Sequence, residues 1–308
     1  MPYRSDLDGL RGLAVLLVMA THAGFPWANN GGDVGVTAFF VLSGFLITRL
    51  MMIERSGTGT VDLGAFYRRR FWRLGPPLAM LLVATVAIGL ATDLPNEWAL
   101  GVATCIAYIS NWVQVLGHQI DPLGHTWSLA IEEQFYLGWP LVFLFLGRGR
   151  AAWIAAIGVG IGFVVRTLSS GDFEYFSTVT RGDAILLGCL LALTEVRVPR
   201  WLSALGCVSL VVLAYLNLNH DLSISLAMIA ASVVIVGRWE PLGALAAIGR
   251  RSYALYLWDW PMTIFFGPAG ALLTFAIAEL SYRAVERPIA RRRQRQPRPH
   301  PDRAGAVA

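Results

Sequence analysis

One histidine and two adjacent carboxylates stand out in this sequence because each lies within a strongly apolar stretch. His22 comes about twelve residues into the first such stretch, hence ~18 Å along a helix. Glu132 and Glu133 enter a later stretch side by side. An ionisable side chain inside a bilayer is costly and usually faces a cavity or a charged partner. Because a carboxylate can orient or deprotonate an imidazole, these three residues are candidates for general acid–base catalysis.

A cluster of arginines precedes the third apolar stretch, in the string FYRRRFWRLGPP at 66–77. Arg70 and Arg73 share one face of a helix at the i, i+3 spacing, and Arg69 lies on the flank of that face. A guanidinium group binds phosphate oxygens through two parallel hydrogen bonds, so the cluster suits a phosphate-rich ligand. The alternative is a positive anchor that marks the inner face of a membrane, and the sequence leaves both interpretations open.

The composition indicates a membrane protein. Of the 308 residues, 56% are hydrophobic and 15% are charged, and the mean hydropathy is +0.56. Soluble domains contain about 45–50% apolar and about 25% charged residues. The net charge of +5 does not indicate a nucleic-acid partner, because the arginines fall in the gaps between apolar stretches. The three cysteines are widely spaced and form no metal-binding motif, so no metal site is expected.

Eleven stretches are candidates for membrane spans, which need about 17–25 apolar residues each, although a few of them are shorter. They cover residues 10–27, 34–53, 75–92, 98–116, 128–146, 151–167, 182–194, 201–217, 222–237, 250–266 and 268–284.

The positions of the arginines argue against eleven full spans. With a cytoplasmic amino terminus, eleven spans would place Arg148, Arg150, Arg250, Arg251 and the basic carboxyl-terminal segment outside the cell. Short arginine-rich loops are retained in the cytoplasm, so this arrangement is disfavoured. If 98–116 is re-entrant instead, nearly every arginine lies inside. The predicted fold is therefore all-α: a polytopic membrane bundle of about ten transmembrane helices plus a re-entrant segment, with both termini cytoplasmic.

Two parts of the chain are distinguished by composition. Residues 1–288 are predicted to form a single membrane domain. Residues 289–308, rich in arginine and proline, are predicted to be a disordered basic tail in the cytoplasm.

Five blocks of the sequence together resemble membrane acyltransferase family 3, the bacterial O-acetyltransferase type. They are DLDGLRGLAVLLVMATH (6–22), GVTAFFVLSGFLIT (35–48), FYRRRFWRLGPP (66–77), WSLAIEEQFYLGWP (127–140) and SYALYLWDWP (252–261), with a trailing ERP (286–288). Many relatives carry an additional soluble hydrolase-like domain, and we expect none here.

The resemblance implies an acyltransferase domain over 1–288 in the bacterial plasma (inner) membrane. It implies acetyl-CoA or another acyl-CoA as co-substrate, no bound cofactor, and a hydroxyl of a sugar, glycolipid, polysaccharide or natural product as acceptor.

The resemblance also implies roles for particular residues. The essential histidine of the family matches His22, its Arg-x-x-Arg pair matches Arg70 and Arg73, and its acidic pair matches Glu132 and Glu133. In the expected mechanism the arginines, with help from Arg69, hold the CoA phosphates. Glu132 or Glu133 orients His22, which acts as a general base on the acceptor hydroxyl or is itself transiently acylated.

Further polar and aromatic residues of these blocks and of the string TVTRGDAILLG are expected to support the site. They are Arg11, Ser43, Trp127, Ser128, Gln134, Tyr136, Arg181, Asp183, Tyr253 and Asp259. Two positions depart from the family pattern. Thr37 and Ala38 fill a stretch where relatives have an aspartate, and Asp259 replaces a histidine in the string WDWP. A carboxylate at Asp259 is expected to be a polar partner inside the bundle.

Two other function classes fit part of the pattern. Intramembrane histidine, glutamate and arginine also form proton relays, so a proton-coupled transporter or a flippase of glycoconjugates is the main alternative. An accessory bundle that presents lipid-linked glycans to another enzyme is the third. No inverted repeat is visible, and the basic block suits a phosphate ligand, which favours the acyltransferase.

Overall fold

The computed structural model describes residues 3–92, 94 and 97–289. Of the described residues 86% are helical, and none of them lies in a strand. The all-α prediction is therefore confirmed. The tail predicted at 289–308 lies, except for Ile289, outside the described residues.

The α-helices follow one another with short connections. They are α1 (Ser5–His22), α2 (Gly31–Thr58), α3 (Leu63–Ala91), α4 (Trp98–Ile106), α5 (Ser110–Val115), α6 (Trp127–Leu168), α7 (Gly171–Phe176), α8 (Thr178–Thr194), α9 (Arg200–Tyr215), α10 (His220–Gly237), α11 (Ala246–Gly249), α12 (Ser252–Phe266) and α13 (Gly270–Ser281).

Side-chain caps define where three of these helices begin. Asp62 accepts a hydrogen bond from the backbone N–H of Ala65 at the start of α3, and Asn219 accepts one from Leu222 at the start of α10. Ser177 caps α8 in the same way. Such caps satisfy backbone donors that have no partner within the helix.

Six helical stretches of the described chain are long and apolar enough to cross a membrane. Two of them are interrupted, because Gly147 has φ 70° within α6 and Gly267 has φ 60° between α12 and α13. The 42 residues of α6 would extend about 63 Å, twice the ~30 Å hydrocarbon core, so each half fits one crossing. Counting α1 and the shorter apolar helix α9 together with both halves of each interrupted stretch would give ten, but the number of crossings stays a prediction.

The segment at 98–116 does not cross. It consists of α4 and α5, separated by a turn in which Tyr108 has φ 54°. The nine residues of α4 extend only about 14 Å. The two flanks of the segment meet: the Glu97 N–H donates to the Gln119 carbonyl (3.1 Å), and His118 lies 2.6 Å from the Glu97 carboxylate. Both flanks therefore lie at one end of the bundle, which confirms the re-entrant prediction.

Gln134 holds the re-entrant segment against the bundle. Its amide nitrogen donates to the Tyr108 carbonyl (2.7 Å) and to the Asn111 side chain (2.9 Å), while its amide oxygen accepts from Thr178 (2.6 Å). Irregular backbone at membrane depth is tolerated only where protein satisfies its polar groups. Gln134 satisfies one of them, so its role is structural.

The bundle has two chemically different ends. The arginine-rich end holds the start of α1, the end of α2 and the Gly147 break, and its arginines are Arg4, Arg49, Arg55, Arg68, Arg69, Arg148, Arg150, Arg197, Arg200, Arg238, Arg250 and Arg251. Arg49 near the end of α2 and Arg148 beside the Gly147 break both pair with Glu195, so these parts of the chain meet at the arginine-rich end. The opposite end, which we call the re-entrant end, carries α4, α5 and α7.

Helices α2 and α8 touch at their backbones. A Cβ atom at Gly44 would lie 1.9 Å from the Ile185 carbonyl oxygen, and one at Gly188 would lie 1.9 Å from that of Val41. Only glycine allows this approach, which is common between membrane helices. The contact fixes the depth and rotation of α2, whose other face lines the cavities described below.

Arg166 is buried and ties three helices together. Its side chain is 1% exposed and pairs with Asp183 on α8 and with Asp221 on α10, the latter at 2.6 Å. A third contact joins it to Ser225 at 2.9 Å. Asp183, expected from the sequence to support the site, is therefore a structural partner of Arg166 instead.

Replacing Asp183 with asparagine is expected to destabilise the bundle strongly. Asparagine removes the fully buried of the two carboxylates that pair with Arg166 and leaves only the partly exposed Asp221. Breaking one side of a buried ion pair costs about 3–5 kcal/mol. The exposed arginine of the Arg49–Glu195 pair provides a matched control, and Arg49→Ala is expected to change stability little. Thermal unfolding in detergent, followed by size-exclusion chromatography, measures both. Equal melting temperatures for the two variants would contradict this role of Arg166.

Candidate active site

His22 is the last residue of α1 and lies at the re-entrant end. Its Nδ1 is 2.6 Å from a carboxylate oxygen of Asp259 on α12. Asp259 is 1% exposed and His22 18% exposed. Because an ionised carboxylate only accepts hydrogen bonds, we assign the hydrogen to Nδ1, which leaves the lone pair on Nε2. Trp260 packs against the imidazole with ring centroids 4.6 Å apart.

This pairing corrects one expectation from the sequence. Glu132 or Glu133 was expected to orient His22, but the structure pairs His22 with Asp259 and both glutamates with Arg70. The reason lies in helix packing. Helix α12 packs against α1 and brings Asp259 to the end of α1, whereas the glutamates lie more than one helical turn after the start of α6. A catalytic role of the glutamates stays a prediction.

Arg70 is held from three sides. Its Nε and Nη2 lie 2.8 Å and 2.6 Å from the same Glu133 oxygen, and Glu132 is 3.8 Å from Nη2. The guanidinium carbon also lies 3.2 Å from the centre of the Tyr136 ring. The fork of Arg70 is thus largely engaged by the protein. Arg70 fixes the position of the glutamates and is only partly available to a ligand.

A large cavity of about 530 Å³ runs along α2 from the arginine-rich end into the bundle. Its walls extend from Glu54 and Arg69 to Val36 and Tyr256. The α2 residues that line it span about 27 Å, which is most of the thickness of a hydrocarbon core. Arg73 lines it too, beside Arg11, Arg70, Glu132 and Tyr136.

Arg73 differs from the other arginines of this cavity. Arg11 pairs with Asp8 at 3.0 Å, and Arg69 pairs with Glu54 at 3.2 Å. Within the described part of the chain, no ion pair joins Arg73 to a carboxylate. Its charge is therefore available to an anion that enters the cavity.

A small cavity of about 310 Å³ lies at the re-entrant end. His22 lines it together with aromatic side chains from three parts of the chain, namely Trp127, Tyr175, Phe176 and Trp260. Asp121 also lines it and accepts a hydrogen bond from the Trp260 indole at 2.8 Å. The cavity thus combines flat apolar surfaces with a few polar groups beside the imidazole.

The two cavities share part of one wall. Val36 and Tyr256 line both of them. The Tyr256 hydroxyl donates to the His125 carbonyl at 2.8 Å and lies 2.5 Å from the Ser128 hydroxyl. Val36 and Tyr256 therefore stand between the two cavities, with His22 on the side away from the arginines, and we call this shared wall the narrowing.

Comparison with protein families gives the decisive finding. The family model described as "Acyltransferase domain" matches residues 4–282. The chain belongs to this family, acyltransferase family 3. The resemblance noted in the five blocks is therefore confirmed.

Curated relatives of this family carry related names. An O-acetyltransferase OatA of Staphylococcus aureus is 31% identical over 93% of this chain, and the alignment covers 57% of that relative. A putative O-acetyltransferase of Staphylococcus aureus strain MSSA476 is 33% identical over 94% of this chain and 58% of the relative. The chain thus spans somewhat more than half the length of these relatives. No solved structure matches it.

The family blocks converge on the two cavities. Among the supporting residues, Arg11, Ser43, Ser128, Tyr136 and Tyr253 line the large cavity, and Trp127 lines the small one. Arg181 is buried over the rings of Trp127 and Tyr175, so it supports the wall of the small cavity. Gln134 and Asp183 line neither cavity and act in packing, as described above.

Sequence reasoning missed several residues of the candidate site. Tyr256 and Trp260 lie in the same family block as Asp259, and Tyr256 shares its helix face at the i, i+3 spacing. His125 precedes the block that begins at Trp127, and it lines the small cavity. The i, i+3 spacing was a usable signal for Tyr256. Tyr175 carried no comparable signal, because it lies outside the five blocks.

Proposed function

We propose that this chain transfers an acyl group, usually acetyl, from acyl-CoA in the large cavity to a hydroxyl group in the small cavity. The acceptor is a sugar, a glycolipid, a polysaccharide or a natural product. The observation that carries the proposal is the His22–Asp259 pair in a cavity that shares a wall with a second, arginine-lined cavity. The names of the curated relatives, O-acetyltransferases, support acetyl as the group transferred.

The proposal that acyl-CoA binds in the large cavity rests on the charge and shape of that cavity. CoA carries its phosphates on an adenosine nucleotide, from which a long, narrow pantetheine arm extends to the thiol. The large cavity offers arginines at its mouth and an apolar interior beyond them. Arg73 and the partly engaged Arg70 would hold phosphate oxygens. The arm would extend along α2 and bring the thioester towards Val36 and Tyr256.

The chemistry rests on the free Nε2 of His22. In direct transfer, Nε2 takes the proton of the acceptor hydroxyl while the hydroxyl oxygen attacks the thioester carbonyl. A C–O bond forms and the C–S bond breaks. The CoA thiolate then receives the proton from Nε2. In the two-step route, Nε2 attacks the thioester carbonyl, the C–S bond breaks and CoA leaves as a thiolate. The acceptor oxygen then attacks the acyl group, the C–N bond to the imidazole breaks, and the hydroxyl proton passes to the freed Nε2. In both routes Asp259 stabilises the positive imidazole.

The proposal that the hydroxyl acceptor binds in the small cavity rests on the side chains that line it. The C–H faces of sugar rings pack well on aromatic faces, and Trp127, Tyr175 and Trp260 provide them. Asp121 and His22 supply polar groups that can receive hydroxyls. A cavity of this kind, mostly apolar with a few placed polar groups, is typical of small-molecule sites.

The function is tested with purified protein in proteoliposomes that contain acetyl-CoA labelled in the acetyl group. Release of free CoA and appearance of label on a glycan or lipid extract are expected, and His22→Ala should show neither. Consumption of no acetyl-CoA in the presence of varied extracts would contradict the proposal. Movement of an unmodified glycoconjugate across the bilayer would favour the flippase alternative.

We also propose an orientation in the bacterial inner membrane. The arginine-rich end would face the cytoplasm, as the retention of positive charge requires, and would receive acyl-CoA from there. The re-entrant end with His22 would then face outwards, so the acyl group would cross most of the bilayer. Both termini would be cytoplasmic.

Single cysteines test this orientation. Thr60 and Gln119 are exposed at opposite ends, and the native cysteines at 105, 189 and 207 are buried and can be replaced. A membrane-impermeant thiol reagent added to intact cells is expected to label Gln119→Cys, and to label Thr60→Cys only after the membrane is opened. Immediate labelling of Thr60→Cys would reverse the orientation.

A further inference from the structure

The narrowing between the two cavities is formed by one side chain from α2 and one from α12. Val36 is 6% exposed and projects from α2, which is fixed by its backbone contact with α8. Tyr256 projects from α12 on the other side and lines both cavities with Val36. The narrowing is therefore built from separate helices that are both held in place.

Tyr256 is anchored at its tip and on two sides. Its hydroxyl contacts the His125 carbonyl and the Ser128 hydroxyl, at 2.8 Å and 2.5 Å. The His125 and Phe39 rings pack edge-on against it, with centroids 5.5 Å and 6.4 Å away. A side chain held by two hydrogen bonds and two rings does not swing aside freely, so the width of the narrowing is well defined.

The narrowing separates His22 from the cavity that the arginines line. His22 lines the small cavity and is absent from the lining of the large one, whereas the arginines line only the large one. In the proposed function, an acyl group carried on CoA in the large cavity passes between Val36 and Tyr256 to reach Nε2. We propose that Val36 and Tyr256 select the acyl group by size, admitting acetyl and rejecting longer chains. This inference rests on the proposed function.

The expected size of the effect follows from packing. A rigid apolar pocket discriminates against one additional methylene group by about 10–200-fold. Shortening Val36 to alanine removes two methyl groups from one side of the narrowing. A longer acyl group should then pass, while the hydrogen bonds of Tyr256 and the His22–Asp259 pair are left in place.

Val34 provides a matched control. It lies two residues earlier on the same helix, is 0% exposed, and belongs to the main core without lining either cavity. Val34→Ala makes the same chemical change at the same depth in α2. Any general loosening of the helix should affect both variants alike, whereas a change in acyl selection should follow Val36→Ala alone.

The test compares acetyl-, propionyl-, butyryl- and hexanoyl-CoA with the full chain in proteoliposomes, using a glycan extract as acceptor. Free CoA and acylated product are both measured. For the unaltered protein, kcat/KM is expected to fall steeply beyond acetyl. In Val36→Ala the ratio of butyryl to acetyl transfer should rise at least about 10-fold. Val34→Ala should keep the profile of the unaltered protein.

Tyr256→Phe is a second variant that keeps the volume of the ring and so should still fold. It loses both hydrogen bonds, which frees the ring, and the acyl profile should broaden. An unchanged profile in both Val36→Ala and Tyr256→Phe, with acetyl transfer intact, would overturn the inference and leave the proposed function standing. If the unaltered protein consumed no acyl-CoA of any length, the proposed function itself would fail.

Discussion

Replacing His22 with alanine is expected to lower acyl transfer by about 10²–10⁴-fold, the range that a positioned acid–base group contributes. His22 carries the free Nε2 beside the small cavity, and its other nitrogen is engaged by Asp259. Its side chain is 18% exposed at the end of α1, so its loss should leave folding intact. Transfer to a glycan extract is measured, with size-exclusion chromatography as the folding control.

Asp259→Asn should have an effect of similar size without altering the shape of the site. An asparagine amide can donate to Nδ1, which would move the hydrogen to Nε2 and remove the lone pair needed there. A loss of about 10²-fold or more is expected. Retention of most activity in a well-folded His22→Ala or Asp259→Asn protein would contradict the assignment. Incubation with labelled acetyl-CoA alone separates the two routes, since acetyl on His22 appears only in the two-step route.

Replacing Arg73 with alanine is expected to weaken acyl-CoA binding by about 10–150-fold, which corresponds to about 1.5–3 kcal/mol for hydrogen bonds to a charged group. Arg73 lines the large cavity, and in the described part of the chain no carboxylate pairs with it. Its charge is therefore free for a phosphate. The KM for acetyl-CoA, or direct binding of CoA, measures the effect.

Arg68 is the matched control for this prediction. It lies in the same arginine run, is exposed, and does not line the large cavity. Arg68→Ala removes the same charge from the same end of the bundle and should leave the KM nearly unchanged. Equal effects of Arg68→Ala and Arg73→Ala would mean that the arginines act as a diffuse positive surface or as a topological anchor.

Arg70 is expected to respond to substitution differently from an arginine that only binds phosphate. Lysine keeps the charge but loses the fork that grips Glu133 and the flat face that lies over Tyr136. Arg70→Lys should therefore weaken acyl-CoA binding nearly as much as Arg70→Ala. Full recovery of binding in Arg70→Lys would show that the charge alone matters.

The placement of the membrane segments could be predicted because its causes are local. Apolar length identifies each candidate span, and the distribution of arginine along the chain excluded 98–116 as a full crossing. The structure agrees, since Glu97 and Gln119 are hydrogen-bonded across that segment. The halves of α6 could likewise be separated, because arginines at 148 and 150 interrupt the apolar sequence beside Gly147.

The partners of the site residues could not be predicted in the same way. Glu132 and Glu133 were assigned to His22 because all three are ionisable residues in apolar surroundings, and that property does not say which helices are neighbours. The departure at Asp259 marked a polar residue of unknown partner. Only the packing of α12 against α1 brings its carboxylate to within 2.6 Å of the imidazole.

The sequence by itself determined that the chain is a helical membrane protein, where its apolar segments lie, and which residue types are available at the candidate site. These properties follow from hydropathy, charge and local strings, which act over one or two helical turns. The tertiary structure alone decided that Asp259 supports His22, that Glu133 engages Arg70, and that Val36 and Tyr256 separate two cavities. Each of these depends on side chains more than a hundred positions apart or on different helices, and their meeting is set by helix packing that no local pattern encodes.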